Sequence, residues 1–180
     1  MSSGEEQLLA QKAQGGDREA LGALWEALTP KLFGYLINVT RDPVLAEDLL
    51  QTTWMRAIDA LPRFQPRGIR ISAWLFAIAR NECRQYWRKS GWEILFDPIK
   101  HDLADNGREE LEDKILADQI LFNLSEDDRE ILRLRYIADL PLNDIARVLN
   151  LNFVTVRVRV HRALTRARAV LDSQNYESHK

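Results

Sequence analysis

Apolar residues recur along most of the chain three and four positions apart, the spacing that lines one side of an α-helix. In "DREALGALWEAL", Leu21, Leu24, Trp25 and Leu28 form one such stripe. Gly15-Gly16 ends a shorter helix before it, and Asp17 is placed as its N-cap. "RDPVLAEDLLQTTWMRAIDAL" opens with Asp42 as N-cap and Pro43 at the first helical position, with acids expected in the first turn. Its Ala46, Leu49, Leu50, Trp54, Ala57, Ile58 and Leu61 share one side. "LPRFQPRGIRI" (Leu61–Ile71) holds two prolines, a glycine and three arginines and reads as a loop. Ser72 is then expected to cap a helix running through "AWLFAIARNECRQYWRK".

Periodicity stops after Ser90. "SGWEILFDPIKHDLADNGREEL" is rich in acids and broken by Gly91, Pro98 and Gly107, so it reads as an acidic linker whose "WEILF" cluster packs on something. Helical punctuation returns in "LSEDDREILRLRYIADL", with Ser125 as N-cap, acids behind it, and Ile131, Leu132, Leu134 and Tyr136 to bury. "LPLNDIARVL" follows, with Pro141 in a first turn and Ile145, Ala146 and Leu149 on one face. "NLN" (Asn150–Asn152) is a turn, since asparagine tolerates left-handed backbone angles.

The stretch "VTVRVRVHRALTRAR" (Val154–Arg168) carries two periods at once. Val154, Val156, Val158 and Val160 alternate with polar residues as in a strand, but only over seven residues. At helical spacing Phe153, Val156, Val160, Ala163, Leu164, Ala167 and Leu171 share a face over the whole length, so the segment is expected to be a helix. It is then the second helix of a helix-turn-helix. From Asn152 to Leu171 it holds five arginines and no acid, and Val158 points outward among them. The expected fold is all-α, with two small helical domains at 5–90 and 113–172, the linker at 91–112 between them and a tail at 173–180.

Composition narrows what such a fold can do. The chain has 180 residues, 46% hydrophobic and 29% charged, with a formal net charge of -2. A nucleic-acid surface must therefore be local and balanced by acid elsewhere. The single cysteine, Cys83, excludes an internal disulfide and suits a reducing compartment. "MSSGEEQLLAQKAQGGDREA" has no apolar run of the signal-peptide kind, and the longest apolar run, "AWLFAIA", is too short for a bilayer. A soluble, cytoplasmic protein is expected, with no membrane insertion. His101, His161 and His179 have no ligand spacing with one another or with Cys83. No phosphate-binding glycine loop and no catalytic constellation is present, so neither a metal, a cofactor nor an enzymatic activity is expected.

Taken together, the segments resemble an extracytoplasmic-function (ECF) sigma factor, a bacterial promoter-recognition subunit of RNA polymerase, from about Leu8 to Leu171. "LAEDLLQTTW" is similar to the signature of sigma region 2, and "FQPRGIRISAWLFAIARNECRQYWRK" to the stretch that melts and reads the −10 element. "LSEDDREILRLRYIADLPLNDIARVLNLNFVTVRVRVHRA" is similar to the region-4 helix-turn-helix that reads the −35 element. Asn150, Val154, Val158 and Gln85 stand where the family pattern commonly has a glycine, a glycine, a small polar residue and an acid.

The resemblance implies three contact sets. Around the −10 element these are Phe64, Arg67, Arg70, Ser72, Trp74, Arg80, Asn81, Arg84 and Arg88, which supply stacking, polar and cationic groups for unpaired DNA. Phe64 and Asn81 are expected to help form a pocket for a flipped base, whereas Trp74 reads more readily as core. Around the −35 element they are Thr155, Arg157, Val158, Arg159, His161, Arg162 and Arg166. Glu47, Asp48, Leu50 and Gln51 would meet core RNA polymerase. Implied partners are the β′ coiled coil and β flap of that enzyme, promoter DNA and an anti-sigma factor. A dimeric helix-turn-helix regulator and a helical interaction adaptor share parts of the pattern, but neither needs both the "AEDLLQ" helix and the arginine-rich loop.

Overall fold

The computed structural model describes residues 1–66, 68–90 and 124–177, the side chains at 170 and 172–177 excepted. All regular structure among them is helical. Helix α1 (Ser3–Gln14) starts in a capping box between Ser2 and Glu5. Asp17 caps α2 (Arg18–Thr40) by accepting the Glu19 and Ala20 N–H groups, and Arg41, at φ 57°, ends it. Asp42 caps α3 (Pro43–Ala60) through the N–H groups of Val44 and Leu45. A 3₁₀ turn (Leu61–Arg63) and an irregular loop lead to α4 (Ile71–Ser90). These helices close over a core in which Leu32, Leu36, Ala46 and Phe76 are wholly buried. Tyr35 meets Phe76 edge-on at 5.5 Å.

The second unit comprises α5 (Glu126–Leu132), a π-helical turn (Arg133–Ile137), α6 (Leu142–Leu149) and α7 (Phe153–Glu177). Ser125 caps α5 by accepting the Asp128 N–H. Asn150 adopts the left-handed conformation, φ 53° and ψ 46°, which turns the chain from α6 toward α7. Asn152 starts α7 by accepting the Thr155 N–H at 2.7 Å. Ile131, Leu134, Ile145, Val156 and Ala163 fill this unit's core.

The α7 expectation has a sharp test in its valines. Val156 is 0% and Val160 9% exposed, but Val158 is 41% exposed. A strand would put all three on one face, so the helical period governs.

Five expectations are corrected. Ser72 does not cap α4: it is buried inside the first turn, and its N–H donates to the Glu6 carboxylate at 2.6 Å. No acid lies in the first turn of α3, because Glu47 and Asp48 fall one turn later and Asp42 serves the helix end. Ile58 stays 43% exposed and Tyr136 60% exposed, each at the margin of its helix's apolar stripe. Phe153, placed on the helical face of Val156 and Val160, is also 44% exposed, at the helix's first position beyond the reach of the core. The linker at 91–112, its "WEILF" cluster, Arg67 and residues 178–180 lie outside the described residues.

The two units pack against each other through α2, α4, the π-helical turn and α6. Glu130 accepts from the Tyr35 hydroxyl at 2.8 Å and from Arg80 Nε at 3.1 Å. Arg133 Nε donates to Asn38 at 2.9 Å, and Arg70 Nε meets Asp144 at 2.6 Å. Lys31 pairs with Asp139 at 3.0 Å.

Candidate nucleic-acid interface

Helix α7 presents its polar groups because its apolar stripe is consumed by the core. Arg157, Val158, His161 and Arg162 are all exposed and sit at i, i+1, i+4 and i+5, a single outward patch. Thr155 and Arg159 flank it, half-buried. Two arginines have partners from α5 that no i±4 search along α7 reveals. Arg159 meets Asp127 at 3.2 Å, and Arg166 meets Asp128, itself buried. Arg157 and Arg162 form no ion pair among the described residues. The structure thus separates the seven expected groups into a free patch around Val158 and a paired flank.

The other cationic surface divides similarly. Asn81, Arg84 and Arg88 are exposed at i, i+3 and i+7 of α4, one stripe with no ion pair among the described residues. Arg70 and Arg80 are instead occupied by Asp144 and Glu130 of the second unit. Phe64 is buried, its ring 4.8 Å from that of half-buried Trp74 and tilted by 40°. The open stacking position expected for Phe64 is therefore absent in this conformation, because the ring covers the apolar end of α4. Gly68, at φ 75°, keeps the loop close to α6: a Cβ there would lie 2.6 Å from the Arg147 guanidinium.

On α3, Glu47, Asp48 and Gln51 are exposed and Leu50 half-buried. Val44 and Met55 extend this surface, 70% and 68% exposed. Sequence reading missed both; their outward position at i and i+11 with no core to fill was the available signal. It also missed Glu6, Gln14, Glu130 and Asp144. Glu6 was detectable, since it shares the i, i+4, i+7 stripe of buried Ala10 and Ala13.

Cys83 is buried at 1% exposure. Burial first, and the Glu130 charge second, push its thiol up to about 12. It is a packing residue, not a nucleophile.

Family comparison places both surfaces in known modules. Residues 24–93 match Sigma-70 region 2, and residues 116–166 match Sigma-70 region 4. The ECF RNA polymerase sigma factor SigD of Mycobacterium tuberculosis is 31% identical over 169 residues, covering 86% of this chain and 78% of that one. The chain belongs to the ECF sigma factors. Another relative, the ECF sigma factor BldN of Streptomyces coelicolor, is 27% identical over 173 residues; the alignment takes in 91% of this chain but only 65% of BldN. Among solved structures, the sigma factor RpoE of Bartonella quintana, crystallised with the anti-sigma factor NepR, has a TM-score of 0.69. It is 28% identical, over 84% of this ECF sigma factor and 96% of RpoE. Sigma factors are recognition subunits, which fits a site built of arginines, aromatics and amides. No helix among the described residues of this ECF sigma factor is long and apolar enough to cross a membrane.

Proposed function

We propose that this ECF sigma factor binds core RNA polymerase and directs initiation at a defined set of promoters, acting in the cytoplasm. The exposed α3 face, from Val44 through Asp48 and Gln51 to Met55, docks on the β′ coiled coil, and the second unit also contacts the β flap. Helix α7 enters the major groove of the −35 element, with Arg157 and Arg162 toward guanine edges or phosphates and Val158 toward a thymine methyl. The α4 stripe of Asn81, Arg84 and Arg88 tracks the −10 strand, and Phe64 with Trp74 stacks on an unpaired base once the Phe64 side chain turns out from α4, the loop backbone staying in place. One observation carries the reading: two separate helical units each present arginines that form no ion pair among the described residues, on a face whose reverse is buried.

The closed packing adds a condition. Arg70 and Arg80 cannot meet phosphate while Asp144 and Glu130 hold them, so the free chain binds DNA weakly and core polymerase parts the units. An anti-sigma factor, the kind of partner held by the related RpoE, would restrain the chain by keeping it closed. Selection from a random promoter library tests the assignment. The holoenzyme should enrich two conserved blocks, and Arg162→Ala should lose only the upstream one. Enrichment of the same sequence by the free chain at nanomolar concentration would contradict it.

A further inference from the structure

Helix α1 lies before the region-2 match, which begins at residue 24, and carries none of the expected contacts. Two of its polar side chains nevertheless hold the loop that joins the 3₁₀ turn to α4, one at each end. Gln14 Nε2 donates to the Leu61 carbonyl at 3.0 Å and to the Phe64 carbonyl. Glu6, 4% exposed, accepts the Ser72 N–H at 2.6 Å, where the first turn of α4 has orphan donors. Between those ends the loop approaches Arg147 of α6 at Gly68. A cavity of about 190 Å³ separates it from α1, lined by Gln7, Ala10, Pro66 and Ile69 among others.

We infer that Gln14 and Glu6 are positioning residues for promoter opening: they tether the backbone at Leu61 and Phe64 and at Ser72, so that both flanks of the loop are held in place when unpaired DNA arrives. The inference rests on the sigma-factor reading and adds a role to a helix outside the matched region. A loop held in advance does not pay its ordering cost when DNA arrives. Losing the tethers shifts that cost into open-complex formation while leaving the α3 docking face intact.

Four variants test this in holoenzyme: Gln14→Ala, Gln14→Glu, Glu6→Ala and Glu6→Gln. Gln14→Glu sets a carboxylate against two carbonyl oxygens, whereas Glu6→Gln keeps an acceptor for Ser72. Permanganate reactivity of promoter thymines should fall roughly tenfold in Gln14→Ala, Gln14→Glu and Glu6→Ala, the scale of one or two lost hydrogen bonds. Glu6→Gln should restore it, and affinity for core polymerase should not change in any of the four. In the free chain, amides 65, 68, 69 and 70 should exchange faster in Gln14→Glu and Glu6→Ala, with α3 unaltered. Wild-type opening and unaltered exchange in those two variants would overturn the inference. Parallel loss of core binding and opening would also overturn it, since that is general destabilisation. Failure of the wild-type holoenzyme to open any promoter would instead overturn the sigma-factor reading, and the exchange result would still decide the tether.

Discussion

At the scale of single residues, Val158 and Val160 carry opposite roles two positions apart. Val160→Asp places an unpaired charge in the core of the second unit and should unfold it, at a cost of several kcal/mol. Val158→Ser removes a methyl-bearing surface from the exposed patch and should leave the fold intact while changing the base preferred at one upstream position. Circular dichroism and promoter selection separate the two; equal destabilisation would contradict the helical assignment. These roles were legible because burial follows the 3.6-residue period. Phe64 was not: an aromatic in an arginine-rich loop reads as available, and only the fold brings Trp74 against it. Cys83 and Tyr35 give a pH prediction. Burial raises both, Cys83 to about 12 from 9.0, so the folded chain keeps protons that the unfolded chain releases. Stability is fully present below about pH 9 and should fall as pH rises toward 12, as urea midpoints across that range would record. A midpoint independent of pH there would be the contrary result.

At the scale of elements, helix starts were readable where the cap is local. Asp17, Asp42 and Ser125 each accept N–H groups two or three residues ahead, as their positions in the sequence suggest. The start of α4 was not readable, because its acceptor, Glu6, comes from 66 residues away. The turn before α7 was readable from asparagine's tolerance of positive φ. Asn150→Gly should therefore be neutral or slightly stabilising, whereas Asn150→Val should cost roughly 1–2 kcal/mol, the penalty for a β-substituted residue held in the left-handed region. Urea unfolding of the two variants measures the difference. Equal midpoints would mean that the turn relaxes.

At the scale of the whole molecule, the all-helical architecture and the order of motifs were legible, and the packing of one unit on the other was not. Glu130 and Asp144 look like ordinary helix-surface acids in sequence; their partners are 50 and 74 residues away. Lys31 holds the Asp139 carboxyl below its usual range, first by a hydrogen bond and then by charge. That contact persists above the ordinary carboxylate range and is lost as pH falls through the lowered value. The double variant Glu130→Gln, Asp144→Asn should release Arg80 and Arg70. The free chain should then bind single-stranded DNA of the −10 type about tenfold more tightly in fluorescence anisotropy. Glu26→Gln with Asp59→Asn changes the charge equally on exposed positions and should gain far less, whereas an equal gain would show bulk charge at work and not closure.

Run-off transcription with purified core RNA polymerase on genomic promoter fragments bears most directly on the central claim. Adding the chain should produce discrete transcripts that core enzyme alone does not make, with permanganate-reactive thymines just upstream of each start. Transcription unchanged by the chain, with no opened fragment, would contradict its assignment as a promoter-selecting sigma subunit.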